Sequence, residues 1–207
     1  MKRILISGIN GRIGQAIKKN IESKFAVYGH LRSEDLSHCI ESVKPDIIID
    51  VTSSNSIKAH LAIYLQHKIP TIIGTSGLSP QEAFHITETC HFPLLIIPNF
   101  SQSFQFFLQQ AKVLHYKYPA YKIIETHCNT KVDSPSSSSL FLSHALNNAP
   151  IRSLRISNYI AKHEIYFGQP SNHMTLAHTI NEPKDFIPGV IAAINYIQTM
   201  RQGQVFI

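Results

Sequence analysis

No apolar run in this sequence of 207 residues approaches the roughly 20 residues that a membrane-spanning helix needs. The N-terminus passes from Lys2-Arg3 into the short apolar segment Ile4-Leu5-Ile6, which is too short for a secretory signal peptide. These two absences argue against a membrane partner and against export. We therefore expect a cytoplasmic protein.

The chain also lacks paired cysteines. Cys39, Cys90 and Cys128 are odd in number and scattered, which indicates neither a disulfide framework nor a zinc site. The 12 histidines show no i, i+4 helical pairing and no cysteine partners. The sequence therefore predicts no metal site.

A block of basic residues is missing as well. Lys and Arg outnumber Asp and Glu by 19 to 13, but they are spread along the chain and no aromatic platform interleaves with them. This distribution argues against a nucleic-acid partner. The excess of positive charge can serve to bind anionic small molecules, such as a pyrophosphate and a dicarboxylate. The alternative is an ordinary solvated basic surface.

A glycine turn follows the first apolar segment. It comprises Gly8, Ile9, Asn10, Gly11, Arg12, Ile13 and Gly14, and isoleucines then recur at helical spacing. Strand, glycine turn and helix are the context of a dinucleotide-binding loop, in which backbone N–H groups approach a pyrophosphate. We expect Gly8 to Ile13 to bind a cofactor; a simple tight turn is the alternative.

The second predicted strand, about residues 25–31, ends in His30-Leu31-Arg32-Ser33 rather than in Asp or Glu. An acidic residue at this place holds the ribose hydroxyls of NAD, whereas a basic one suits a 2′-phosphate. Arg32 therefore favours NADPH over NADH. The alternative is an ordinary surface arginine.

Strands and helices continue to alternate through the first hundred residues. Apolar strands at 45–52, 71–73 and 93–97 lead into polar or glycine-bearing loops, among them Gly74-Thr75-Ser76 and Pro98-Asn99-Phe100. The pattern predicts a Rossmann-type parallel sheet, whose ligands bind at the carboxyl ends of the strands.

After Ser101, alternating segments at 153–160, 163–167 and 173–180 predict an α+β region with a mostly antiparallel sheet, and a helix at 188–200 closes the chain.

The stretch from Lys122 to Ser139 combines a strand, a polar turn and the start of a helix. Ser134 is a good N-cap and Pro135 a good first helical residue, so the serines that follow lie where free N–H groups favour an anion. His127 and Lys131 lie in the same stretch. A titratable imidazole, an amine and an anion site within a dozen residues predict a chemical site.

This stretch resembles the signature E-x-H-H-x-x-K-x-D-x-P-S-G-T of the dihydrodipicolinate reductase family. The glycine turn resembles the G-x-x-G-R-[IM]-G of that family, and Gly74-Thr75-Ser76-Gly77 and Asn99-Phe100-Ser101 resemble its Gly-Thr-Thr-Gly and Asn-Phe-Ser motifs. Three departures from the family pattern occur at four positions: Cys128 replaces a histidine, Ser137-Ser138 replace Gly-Thr, and Ser103 stands where glycine is usual.

The resemblance implies reduction of 4-hydroxy-tetrahydrodipicolinate, a cyclic dicarboxylate, with NADPH or NADH. It implies chemistry at His127 and Lys131, substrate binding at Cys128, Ser137 and Ser138, and a nicotinamide held by the loops at Gly74 to Ser76 and Pro98 to Phe100. It also implies a closing helix that returns to the first domain (residues 1–101 plus 184–207) and a substrate-binding domain (102–183) that builds a homotetramer.

The pattern of the last predicted strand also predicts self-association. Met174, Leu176, His178 and Ile180 alternate along one face of this strand, and the chain is short of helices to cover that face. The rival to the enzyme is a non-catalytic dinucleotide-binding or sensory protein on the same fold, which the three departures support. Because His127 and Lys131 are intact, we favour the enzyme.

Overall fold

The computed structural model describes residues 1–156 and 161–206, which form two β-sheets with helices packed on them. The strands of the first sheet are β1 (Arg3–Ser7), β2 (Ala26–His30), β3 (Ile47–Asp50), β4 (Thr71–Ile73), β5 (Leu94–Ile96) and β10 (Gln204–Val205). The order across the sheet is β10-β5-β4-β3-β1-β2, and every pairing is parallel. The predicted Rossmann-type sheet is confirmed.

Helices cover both faces of this sheet, as a parallel sheet requires. They are α1 (Arg12–Ile21), α2 (Leu36–Val43), α3 (Ile57–His67), α4 (Pro80–Thr89) and, from the far end of the chain, α7 (Ile187–Ile197). In β3, Ile47 and Ile49 face the apolar core beneath α1 and α7, whereas Ile48 faces the core beneath α2 and α3. A run of consecutive isoleucines is therefore buried on both sides.

The second sheet has the order β7-β6-β8-β9. Its strands are β6 (Ala120–His127), β7 (Ile151–Arg155), β8 (Ala161–Gln169) and β9 (Asn172–Ile180). The β6–β7 pair is parallel and the other two pairs are antiparallel, so the expected mostly antiparallel sheet is confirmed. The predicted segment at 153–160 overlaps β7, and residues 157–160 lie outside the described residues.

Two helices of the same chain, α5 (Gln102–Lys117) and α6 (Ser137–Ala145), cover one face of the second sheet. Their apolar side chains form a core with the strands that includes Phe104, Phe107, Leu108, Leu142, Ile123, Ile165 and Phe167, with Leu176 packed against it. The expectation that the chain lacks helices for this face is wrong, because α5 extends over β8 and β9.

The last helix returns to the first sheet, as expected. Val190, Ile194 and Ile197 of α7 are buried in the core that contains β1, β3 and β4. Gly189 lets the helix approach the chain at Phe100, since a Cβ at that position would lie 1.7 Å from the Phe100 carbonyl oxygen. The predicted helix continued to Met200, but α7 ends at Ile197, and β10 then adds an edge strand that the sequence did not suggest.

None of the helices in the described part of the chain has both the length and the apolar character to cross a membrane.

Candidate active site

A cleft of about 410 Å³ lies at the carboxyl ends of the first sheet and reaches the end of β6 in the second. Most of the residues predicted for the site line it, namely Gly11, Arg12, Ile13, Gly74, Thr75, Ser76, Pro98, Asn99, Phe100, His127, Cys128, Lys131, Ser137 and Ser138. Four other predicted residues, Gly8, Ile9, Asn10 and Arg32, are not among the lining residues. The cleft therefore joins the two predicted parts of the site.

The glycine turn forms one wall of the cleft. Gly8 has a φ of +88°, and a Cβ there would lie 2.6 Å from the Val51 carbonyl oxygen, so the turn packs tightly against the end of β3. Gly11 is the N-cap of α1, and no described side chain caps this helix start. The first N–H groups of α1 are thus left for an anion, which the positive end of the helix dipole favours.

The end of β2 lies beside this wall. Arg32 is exposed, and the carboxylate of Glu34 turns back to accept a hydrogen bond from the Leu31 N–H at 2.9 Å. One basic and one acidic side chain are therefore both present near the place where a ribose would bind.

The two loops after β4 and β5 interlock. A Cβ at Gly74 would lie 2.1 Å from the Phe100 ring, so only glycine allows this packing. The Asn99 side chain accepts a hydrogen bond from the Ser101 N–H at 2.9 Å and donates one to Ser138 Oγ at 3.1 Å. These contacts fix the Asn99 amide and connect the first sheet to the start of α6.

A buried carboxylate anchors the same edge. Asp50 accepts hydrogen bonds from Tyr64 Oη at 2.7 Å and from the Thr75 hydroxyl, and its Oδ2 lies 2.8 Å from His60 Nδ1. Burial by itself would raise the pKa of Asp50, but the hydrogen bonds, His60 first among them, outweigh it and lower the pKa. This network was not foreseen, although Asp50 ends a strongly apolar strand.

The start of α6 differs from the prediction. Ser136, not Ser134, is the N-cap, and the helix begins at Ser137. The Ser136 hydroxyl accepts a hydrogen bond from the Ser139 N–H, while the Ser136 N–H donates to both oxygens of Glu125 at 3.2 Å. The bond to Glu125 can form only once β6 and the helix start have met, so the sequence does not reveal it. Ser137 and Ser138 become the first two helical residues, whose N–H groups have no partner within the helix.

Glu125 is fully buried and is the electrostatic centre of the second half of the site. Arg155 Nη2 lies 2.8 Å from one of its oxygens, and Ser139 Oγ donates to the other at 2.9 Å. Burial favours the protonated carboxyl, but hydrogen bonds from His127, Ser136 and Arg155 outweigh it and hold the pKa of Glu125 well below its ordinary value. The site therefore contains a permanent carboxylate.

His127 lies between this carboxylate and the cleft. Its Nε2 is 3.2 Å from Glu125 Oε2, and the side chain is almost buried but still lines the cleft. Lys131 also lines the cleft and forms an ion pair with Asp133 at 2.9 Å. The two predicted chemical residues thus lie at one cleft, each beside a carboxylate.

Cys128 connects the two halves of the site. Arg12 Nη2 approaches its sulfur at 3.6 Å, and the Thr130 hydroxyl lies 3.2 Å from the same atom. The hydrogen bond with Thr130, followed by that with Arg12, lowers the pKa of Cys128 to about 7. The residue that departs from the family pattern is therefore a readily ionised thiol.

A second histidine, His163 of β8, lies behind His127. It is fully buried, and neither of its ring nitrogens has a hydrogen-bond partner among the described residues. Burial, with the nearby positive charge that His127 can carry, lowers the pKa of His163 to about 3, so the ring is neutral. No sequence pattern distinguished this histidine from the other eleven.

Other lining residues also escaped the sequence analysis. They are Val51, Thr52, Ser53, Ser54 and Asn55 after β3, Thr130, Val132, Asp133 and Ser136 near the end of β6, and Ala161, Pro183 and Phe186. Pro183 and Phe186 belong to a short 3₁₀ helix that leads into α7, so only the return of the chain brings them to the cleft.

Comparison with protein families gives two adjoining matches. Residues 24–100 match the family described as dihydrodipicolinate reductase, N-terminus, and residues 102–207 match dihydrodipicolinate reductase, C-terminus. The glycine turn lies before the first matched range. The two matches meet at the boundary between the first sheet and α5.

Curated relatives extend over nearly the whole chain. A 4-hydroxy-tetrahydrodipicolinate reductase of Coxiella burnetii is 25% identical over 224 residues, which cover 95% of this chain and 94% of the relative. A protein of the same name from Dehalococcoides mccartyi is 25% identical over 243 residues, covering 94% and 92%.

Solved structures show the same fold. Dipicolinate-bound dihydrodipicolinate reductase from Paenisporosarcina sp. TG-14 superposes with a TM-score of 0.71 at 20% identity, covering 99% of this chain and 97% of that one. GenD2 from gentamicin A biosynthesis, in complex with NAD, gives 0.65 at 6% identity, covering 96% and 86%. The two family matches, which together extend from residue 24 to residue 207 and leave out only residue 101, show that the chain belongs to the dihydrodipicolinate reductase family of NAD(P)H-dependent oxidoreductases.

Proposed function

We propose that this chain reduces 4-hydroxy-tetrahydrodipicolinate to tetrahydrodipicolinate, with loss of water, in lysine and diaminopimelate biosynthesis. One observation supports this function above the others. Residues 11–13 of the glycine turn, the loops after β4 and β5, His127, Lys131 and the start of α6 all line the same cleft.

The first half of the cleft fits a dinucleotide. Gly8 and Gly14 pack so closely that a Cβ at either would overlap backbone atoms, and the start of α1 offers N–H groups without a competing acidic side chain in its first turn. The residues that would hold NAD(P)H are those predicted, Gly8 to Ile13, Gly74 to Ser76 and Pro98 to Phe100. When bound, the cofactor supplies the hydride.

The second half of the cleft fits a dicarboxylate. Lys131 and the N–H groups of Ser137 and Ser138 are the groups that would bind a substrate carboxylate. The replacement of Gly-Thr by Ser-Ser leaves those N–H groups in place, because they belong to the helix start. Cys128, ionised near neutrality, would contact the substrate beside Arg12 rather than carry the imidazole charge usual in the family.

His127 would supply the proton. Its Nε2 lies 3.2 Å from Glu125 Oε2, which orients the ring, and the side chain reaches the cleft. Lys131 is paired with Asp133, which suits charge neutralisation better than proton transfer. In this assignment His127 is the general acid and Lys131 binds the carboxylate.

NADPH is the preferred cofactor in this proposal. Arg32 is exposed at the end of β2, where its guanidinium could meet a 2′-phosphate. Glu34 does not compete strongly for the ribose hydroxyls, since its carboxylate already accepts from the Leu31 N–H.

We further propose a homotetramer, with residues 102–183 as the substrate-binding and oligomerisation domain and 1–101 plus 184–207 as the cofactor domain. The face of the second sheet opposite α5 and α6 carries Ile124, Glu164 and Tyr166, which are only partly buried within one chain. A second copy could cover this face. Light scattering at micromolar concentration tests this, and a monomeric mass would contradict it.

We assign the enzyme to the cytoplasm, a reducing compartment that suits its three free cysteines.

The test of the proposed reaction is a purified-protein assay. Oxidation of NADPH, followed at its nicotinamide absorbance, should depend on freshly formed 4-hydroxy-tetrahydrodipicolinate. Heat-treated protein and omission of the substrate are the controls. Cofactor binding without turnover would instead support the non-catalytic reading of the same fold.

A further inference from the structure

His163 lies in an unusual place for a polar side chain. It is fully buried, in register with Glu125 of β6 on one side and with His178 of β9 on the other. Its ring stands edge-on to His127, with 5.7 Å between ring centroids and 82° between planes, and it packs against Phe104 at 5.2 Å.

This burial is costly. Neither ring nitrogen has a hydrogen-bond partner among the described residues, and an unpartnered buried polar atom destabilises the folded state relative to an apolar group of the same shape. The contact with Phe104 shows that an apolar ring would suit this core. The presence of an imidazole here points to a use other than packing.

The geometry suggests what that use is. A nitrogen of His163 lies within 4.8 Å of both a nitrogen of His127 and a carboxylate oxygen of Glu125. The His163 nitrogens make no hydrogen bond to described residues in this arrangement, so the proposed bond requires a rotation of one ring that brings the two nitrogens to about 3 Å. Two imidazoles and a carboxylate also suit a metal ion, but Arg155 and the Ser136 and Ser139 donors already occupy the Glu125 oxygens. A proton is the cation that this cluster can accommodate.

We propose that His163 is a positioning residue for proton delivery, whose neutral ring accepts a hydrogen bond from His127 when His127 carries the proton. This bond would stabilise the charged form of His127 and increase the fraction of enzyme that is ready to protonate the substrate. The inference rests on the proposed role of His127 as general acid.

Several charged or titratable groups act on this pair. They are Glu125 on β6, Arg155 on β7, His178 on β9, and Lys131 and Asp133 in the turn after β6, while Lys162 and Glu164 flank His163 along β8. His163 adds no charge of its own, because burial keeps it neutral at physiological pH.

His163→Phe tests the proposal, because it keeps a ring in the core and removes both nitrogens. As the pH rises, kcat should fall because the general acid loses its proton, and the pH at which kcat is half of its plateau should be about one unit lower in His163→Phe than in the wild type. On the plateau at lower pH, kcat should equal that of the wild type. His163→Gln, which restores an acceptor, should move this midpoint part of the way back. A purely structural role would instead lower kcat equally at all pH values.

His178→Phe is the matched control. His178 packs against the same Phe104 and is also partly buried, but it has no ring contact with His127. Its replacement should leave the pH midpoint of kcat unchanged. If His163→Phe does not fold, His163→Leu and His163→Gln give the same comparison.

A second readout does not depend on turnover. Titration of the ¹⁵N-labelled protein by NMR should show a lower pKa for His127 in His163→Phe than in the wild type. An unchanged His127 titration in a folded variant overturns the proposal, whether or not the protein is an active reductase. Absence of turnover together with a shifted His127 titration would contradict the proposed function and leave the coupling between the two histidines intact.

Discussion

In the proposed function, the two halves of the cleft recognise their ligands by different means. The half built on the first sheet presents mainly backbone, through the glycine turn, the start of α1 and the interlocked loops at Gly74 and Phe100, with Arg12 as its charged lining residue. The carboxylate of Asp50 lies behind the cleft and ties loops together. The half built on the second sheet presents the titratable side chains of His127 and Lys131, with the buried carboxylate of Glu125 behind them.

This difference explains where the chain departs from its family. Backbone recognition depends on local geometry, so it leaves a readable sequence motif, and the glycine turn keeps that motif. Recognition by side chains depends on partners from several strands, so one position can change if its neighbours compensate. Cys128 is such a change, since Arg12 and Thr130 support its ionised form.

The largest expected effect tests whether the two halves act separately. His127→Ala should lower kcat by about 100- to 10,000-fold, because general acid catalysis contributes on that order. The dissociation constant of NADPH should hardly change, since the proposed cofactor contacts all lie in the first half. Steady-state kinetics and a fluorescence titration of NADPH measure the two quantities. If the substitution lowered kcat and the affinity for NADPH by the same factor, the two halves would not act separately.

The next effect concerns the stability of the second half. Glu125→Ala should lower the free energy of unfolding by about 3–5 kcal/mol, because it leaves the partly buried Arg155 guanidinium without its carboxylate partner and removes the acceptor of the buried Ser136 N–H and Ser139 hydroxyl. Glu125→Gln, of the same size, should recover part of this loss. Denaturant unfolding with NADPH absent measures it. A loss below 1 kcal/mol in Glu125→Ala would contradict the central role of this carboxylate.

The same carboxylate should make stability depend on pH. The pKa of Glu125 in the folded protein lies below its ordinary value of 4.5, so its stabilising contribution is complete above about pH 4.5 and is lost as the pH falls further. Unfolding of the wild type and of Glu125→Gln, compared between pH 3 and 6, should show a weaker pH dependence in the variant.

A smaller effect concerns the first half alone. Arg32→Ala should weaken NADPH binding by about 1.5–3 kcal/mol, the usual worth of a charge-assisted hydrogen bond, and leave NADH binding unchanged. Arg201→Ala, which removes an exposed arginine elsewhere, controls for the change in net charge. If the ratio of the dissociation constants of NADPH and NADH did not change, Arg32 would have no role in 2′-phosphate recognition.

The smallest effect concerns the contact between the halves. Alkylation of Cys128 should rise with pH around a midpoint of about 7, its lowered pKa. Arg12→Ala should move that midpoint upward toward the ordinary value of 9.0, because the guanidinium no longer stabilises the thiolate. Peptide mass spectrometry distinguishes Cys128 from Cys39 and Cys90, whose pKa values burial raises. A midpoint that does not move in Arg12→Ala would show that the contact has no electrostatic consequence.

Much of the fold could be predicted from the sequence because its signals are local. The isoleucine run of β3, the glycines of the first turn and the capping box of α4 at Ser79 and Glu82 each specify their element within a few residues. The alternation of apolar and polar residues that predicted the strands of the second sheet is also a local signal. These features need no knowledge of the rest of the chain.

The remaining features depend on distant parts of the chain. Arg155 reaches Glu125 from a strand 30 residues away, and Tyr64 and Thr75 reach Asp50 from a helix and a later loop. The start of α6 was misplaced because several serines could cap it, and the contact of Ser136 with Glu125 is not visible in sequence. His163 was missed because nothing in its neighbours along the chain records that it lies behind His127.

The return of the last helix has a consequence for how the protein is made. The glycine turn is synthesised well before α7 and β10, which complete the first sheet and support the loop at Phe100. Domains tend to fold during synthesis in the order in which they emerge, but here the first sheet lacks part of its core until the second sheet has been synthesised. A nascent chain that stops before α7 would leave the apolar surface of β1, β3 and β4 exposed to water.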